Sequence, residues 1–226
     1  MHWNFGDNPE NLATELAHAV ANDLRAALRS RDAATLALSG GNTPKQFMQC
    51  LSLQKLDWDK VTVTLVDERW VPPDHPRANA GLLRKHLLRE EAAHAHFVPL
   101  YVEAPTPEDG LAQVRARIDT LALPLDVVVL GMGDDGHTAS FFPGGDQLRN
   151  ALDPKTPERV VSMRAPHAGE PRITLTLPLL VGARARYLLL TGDSKRNVLL
   201  DAMKGGDYPI SAVLEAAPEL QTYWCP

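Results

Sequence analysis

Cysteine is scarce in this chain, with only Cys50 and Cys225 among 226 residues. The two lie far apart and form no CxxC pair, which excludes a disulfide framework and fits free thiols in a reducing compartment such as the cytoplasm. A basic excess is missing too. The formal net charge is -5, and the 23 Lys and Arg residues are scattered, so no broad positive surface exists for phosphate backbones and no nucleic-acid partner is expected. Apolar runs long enough to cross a bilayer are absent, and the opening "MHWNFGDNPENLATELAHAVANDLRAAL" has no basic leader. Neither a signal peptide nor a membrane anchor is expected. No internal repeat, low-complexity tract or linker divides the chain. With 44% hydrophobic residues it can bury a full core, and one domain over residues 1–226 is expected.

What is present alternates. The N-terminal stretch predicts a helix capped by Asn8, opened by Pro9 and carrying Leu12, Leu16, Val20, Leu24 and Leu28 on one face. Four short apolar runs follow, "ATLALSGG" from Ala34, "KVTVTLVDER" from Lys60, "LDVVVLGMGDDG" from Leu125 and "ARYLLLTGDSK" from Ala185. Helical patterns are predicted at Thr43 to Leu53, Ala78 to Arg89, Pro107 to Leu121 and Ser194 to Met203. Runs such as Val127 to Leu130 do not alternate with polar residues, as expected of strands covered on both faces. The fold class expected is α/β, a doubly wound and mostly parallel sheet with helices on both faces, a Rossmann-like three-layer sandwich. "TLTLPLL" from Thr174 to Leu180 suggests a further strand, and Pro143 to Pro157 a loop.

In such sheets ligands bind beyond the carboxyl ends of the strands, where this chain concentrates its unusual residues. "SGGNTPKQF" places Gly40 and Gly41 after a strand, then Thr43 as a helix cap and Pro44 at the first helical position. Exposed N–H groups there suit an anion such as phosphate, or the glycines simply make a tight turn. Asp67, Glu68 and Arg69 close the second run. Arg69 can fork onto a phosphate or carboxylate and Asp67 can orient it, the alternative being a solvated charged loop. Arg172 and Lys195 would ordinarily be surface cations, but Lys195 falls just past a strand end.

"LGMGDDGHTASFFPGG" packs Asp134, Asp135 and His137 between glycines. Two carboxylates at that turn would repel a dinucleotide pyrophosphate, and one imidazole without further His or Cys spacing does not complete a zinc site. His137 can accept a proton near neutrality, with Asp135 close enough to set its tautomer. Ser39 and Ser140 lack a GxSxG setting, so general-base chemistry leads over a covalent nucleophile.

Together, "LSGGNTP", "VDERWVP", "GMGDDGHTASFFPG", "PRITLT" and "GDSK" resemble the 6-phosphogluconolactonase family, which is related to glucosamine-6-phosphate isomerases and deaminases. The likeness spans most of the chain. Arg69 after Asp67-Glu68 and the "HTASFFPG" ending resemble the lactonase branch, since the deaminase branch typically has Tyr after Asp-Glu and "HIAFNEPG". The resemblance implies hydrolysis of 6-phospho-D-glucono-1,5-lactone to 6-phosphogluconate in the oxidative pentose phosphate pathway, without metal or cofactor. It implies His137 as base with Asp135 beside it. It also implies substrate contacts from Gly40, Gly41, Asn42, Thr43, Asp67, Arg69, Asn79, Arg172 and Lys195. Ala78 departs from the family's usual Ser. A small sugar phosphate is the partner expected, bound by a monomer or weak homodimer.

Overall fold

The computed structural model describes residues 1–166 and 168–226. The chain begins with a short strand β1 (His2–Phe5) and the long helix α1 (Pro9–Arg31). Asn8 caps α1 by accepting the Asn11 N–H at 2.9 Å, and of the predicted stripe Leu12, Leu16, Val20 and Leu24 are fully buried and Leu28 partly so. Next come β2 (Ala34–Leu38), α2 (Pro44–Ser52), β3 (Val61–Leu65), β4 (Asp67–Arg69), α3 (Asn79–His86), β5 (His96–Val98), α4 (Pro107–Ile118) and β6 (Val127–Leu130). The remainder is α5 (Leu148–Leu152), β7 (Val160–Met163), β8 (Arg172–Leu175), α6 (Leu177–Val181), β9 (Ala185–Thr191), α7 (Asp193–Met203), α8 (Pro209–Ala216) and β10 (Gln221–Cys225).

Seven strands form one sheet in the order β1-β10-β9-β6-β2-β3-β5, and all its pairs are parallel. With helices packed around it, this is the three-layer α/β fold the alternation predicts. From β2 the chain winds outward through β3 and β5. It then returns to β6, beside β2, and winds the other way through β9 and β10. The β2/β6 boundary is therefore the topological switch point, where the loops leaving two adjacent strands diverge and open a crevice. Among the described residues no helix is long and apolar enough to cross a membrane.

Several expectations are corrected. The run from Lys60 is not one strand ending in a charged loop. It breaks at Val66, and Asp67–Arg69 joins a second, three-stranded antiparallel sheet of order β4-β8-β7. Val66 still belongs to the ladders, its N–H donating to the Leu38 carbonyl and its C=O accepting from Leu175. The strand expected from Thr174 starts earlier, at Arg172, and ends at Leu175, because Pro178 suits a helix start and α6 follows. Pro143 to Pro157 contains α5. Thr43 makes no capping hydrogen bond and has helical dihedrals itself. Strands β1, β5, β7 and β10 and helix α8 had no sequence prediction.

Candidate active site

A cavity of about 300 Å³ opens at the switch point, lined by the residues after β2 (Ser39 to Thr43) and after β6 (Gly131, Met132, Gly133, His137). Asp67 and Arg69 of β4, Asn79 of α3, Arg172 of β8 and Lys195 of α7 complete the ring with Arg77. Every sequence-predicted site residue except Asp135 lines it.

Between Gly131 and Phe142 the chain doubles back tightly. The Gly133 N–H donates to the His137 carbonyl at 2.9 Å, and Gly136 adopts φ 74°. A Cβ on Gly133 would overlap the His137 ring, so glycine is what lets the imidazole lie over its own turn. His137 Nδ1 is 2.5 Å from Asp135 Oδ1, which also accepts the His137 N–H at 3.1 Å. Burial pushes the Asp135 carboxyl up, but the charge of the adjacent imidazole and its hydrogen bonds outweigh this and hold it below the usual carboxylate range. An ionised Asp135 can only accept, so Nδ1 donates to it, and whenever the ring is neutral Nε2 is the nitrogen that holds the lone pair. Asp135 thus stands behind the ring rather than in the cavity. The Phe142 ring packs against the imidazole with 4.5 Å between centroids, and the Arg172 guanidinium lies 5.3 Å over the phenylalanine ring.

Four cations and one carboxylate, Asp67, line the cavity, an excess opposite in sign to the whole chain. Arg172 is not the surface cation its sequence setting suggests. It is 6% exposed, donates to the Ala168 carbonyl at 2.7 Å and lies 3.9 Å from Asp67. Burial lowers its pKa, partly offset by Asp67. Arg69 donates to the Arg77 carbonyl at 2.6 Å, and its buried Nε has no partner among the described residues. Lys195 forms no ion pair with any described residue, whereas Arg77 pairs with Glu170 at 2.9 Å.

At Ser39 to Thr43 the N–H of Ser39 is bound to the Val129 carbonyl and its Oγ accepts from Gly131, which joins the two loops across the switch point. Ser39 Oγ has no imidazole or carboxylate partner among the described residues, and Ser140 is fully buried and donates to Asp67 Oδ2 at 2.6 Å, so neither serine is arranged as a nucleophile. Asn79 turns its amide away from solvent, with Nδ2 donating to the Asp67 carbonyl at 2.9 Å. Arg77 and Phe142 had no sequence prediction, nor did the smaller apolar contributions of Met132, Ala139, Ala168 and Leu189. Arg77, two places before Asn79 in "HPRAN", was legible only as a basic residue in a loop. Phe142 is one of two adjacent phenylalanines, and nothing local says which faces the imidazole.

Known proteins match the chain in sequence and in fold. A family model described as glucosamine-6-phosphate isomerases/6-phosphogluconolactonase matches residues 7–224. The 6-phosphogluconolactonase of Rhizobium meliloti (strain 1021) is 52% identical over 224 residues, covering 97% of each chain. That of Mesorhizobium japonicum is 49% identical over 228 residues, covering all of this chain and 95% of the relative. Among solved structures, a 6-phosphogluconolactonase from Shewanella baltica OS155 superposes with a TM-score of 0.96 at 37% identity, covering 100% of this chain and 98% of that one.

Proposed function

The chain belongs to the glucosamine-6-phosphate isomerase/6-phosphogluconolactonase family, and from that premise we propose that it hydrolyses 6-phospho-D-glucono-1,5-lactone to 6-phosphogluconate as a single domain, with His137 as general base. One observation carries the reading. The imidazole, backed by Asp135 at 2.5 Å, lines the same cavity as Arg69, Arg77, Arg172 and Lys195. A base and a cationic pocket side by side suit a neutral electrophile tethered to a doubly charged phosphate.

In this mechanism the cations and the N–H groups of the Gly40 to Thr43 turn hold the phosphate at the start of α2. Nε2 of His137 takes a proton from water, whose oxygen attacks the lactone carbonyl. The imidazolium that forms is stabilised by ionised Asp135. The tetrahedral oxyanion then collapses, the ring C–O bond breaks, and His137 returns its proton to the leaving ring oxygen. General-base assistance of this kind contributes about 10² to 10⁴ in rate. An ester so activated requires neither a metal nor a covalent intermediate from these residues.

The test is formation of 6-phosphogluconate from freshly generated lactone above the spontaneous rate, alongside ammonia release from glucosamine 6-phosphate. Lactone turnover without ammonia supports the reading, and ammonia without lactone turnover sinks it. The isomerase alternative needs Asp67 as a mobile proton shuttle. Here Asp67 is 6% exposed and held by Ser140, which favours a fixed role.

A further inference from the structure

We propose that Glu68, which does not line the cavity, is the positioning residue that holds the Gly40-Gly41 turn and Asn79 in register for phosphate binding; the inference rests on the lactonase reading above. Glu68 is 1% exposed. Its Oε1 accepts the N–H groups of Arg69 and Asn79, and its Oε2 that of Ala80, each at 2.7 Å.

Two of those donors are the first N–H groups of α3. That helix has Ala78 at its N-cap, with no side chain able to accept them. A carboxylate from β4 therefore performs the capping across a tertiary contact, where it also meets the positive end of the helix dipole. The residue fixed in this way is Asn79, whose Nδ2 donates to the Asp67 carbonyl. Its amide lies so close beneath Gly40 that any Cβ there would collide with Oδ1. Oδ1 is buried against the glycine and has no hydrogen-bond partner among the described residues. One carboxylate thus joins β4, the start of α3 and, through Asn79, the turn after β2. All three contribute cavity walls.

A serine at position 78 would cap the helix locally without a buried charge. The carboxylate does more, because its third donor is the backbone of Arg69, itself a cavity residue. Burial pushes the Glu68 carboxyl up to about 7, against the pull of its three N–H donors and with a small further push from Asp67. A strained acid retained beside a binding pocket is what a positioning role leads one to expect.

Glu68→Gln keeps the shape but turns an NH2 group toward one of the three N–H donors. With the full-length protein, the measurements are kcat and KM for the lactone, the Kd for inorganic phosphate and for 6-phosphogluconate, and amide hydrogen exchange at Gly40 to Asn42. The expected result is a rise of about tenfold in KM and in both Kd values, with faster exchange in the turn and kcat changed by less than about threefold. Glu68→Asp, which shortens the reach but keeps the charge, should move the same quantities less, and it serves if the glutamine variant does not fold. Unchanged KM, Kd and exchange in a folded variant, whatever its stability, would overturn the proposal. If the wild type shows no lactone turnover, the functional reading fails by itself, while phosphate binding and exchange still decide the role of Glu68.

Discussion

The two sheets of this molecule differ in how much charge they bury. In the seven-stranded sheet, β2 and β6 read ATLAL and VVVL and are buried along their whole length. Removal of apolar surface from water, about 25 cal/mol per Å², holds such strands in place. In the three-stranded sheet, Asp67, Glu68, Ser162, Arg172 and Thr174 are all buried, and each polar group must find a partner because an unpaired one is costly at low dielectric. The large sheet sets where the crevice lies. The small one brings charge to its wall, where Glu68, Arg69 and Arg172 are held by backbone groups and Asp67 by the Ser140 hydroxyl.

Substitutions can break this division of labour. The largest effect is expected at His137, which follows β6 of the large sheet and is the base of the proposed mechanism. His137→Asn should lower kcat by about 10² to 10⁴ while 6-phosphogluconate still binds, as read by single-turnover kinetics and calorimetry. Undiminished turnover would remove the base from the mechanism. In the large sheet, Leu36→Ala should cost about 2 to 5 kcal/mol of stability in denaturant titrations, with KM of the folded protein unchanged; Leu36 is fully buried.

Glu68 sharpens the contrast through pH. Its folded pKa, about 7, lies above its ordinary value of 4.5. Ionising this carboxyl therefore costs more in the folded state than in the unfolded chain, so stability is greatest below the ordinary value and falls as pH climbs through the folded one. Stability of the wild type relative to Glu68→Gln should fall by about 3 kcal/mol between pH 4.5 and pH 8. A flat difference would mean the carboxyl is not perturbed. The smallest effect is expected from Arg172→Met, which removes a buried cation yet leaves a hydrophobic chain beside Phe142. It should raise KM about tenfold with a lesser change in kcat.

Legibility in the sequence follows the same line. The long helix α1 and strands β2, β6 and β9 were visible because apolar period and cap residues are local signals. The edge strands β1 and β5 were not, being short and only partly buried. Asp67–Arg69 looked like the end of the preceding run because nothing in its own neighbourhood announces its antiparallel partner, which begins 103 residues on with the Arg69↔Arg172 pairing, a tertiary event. Among site residues, His137, Arg69, Lys195 and the Gly40-Gly41 turn stood out by type and place. Arg77 and Phe142 did not, since a loop arginine and an apolar ring carry no chemical signature until something faces them.

By itself the amino-acid order determined the βα alternation, the strand-end location of the glycines and acid-base pair, and the family likeness, since each is carried by neighbours in the chain. Only the tertiary structure decided that Arg172 is buried against Asp67, that Asp135 stands behind the imidazole rather than in the cavity, and that Glu68 caps a helix eleven residues away. Those facts depend on which groups lose water together, and that is settled when the two sheets meet.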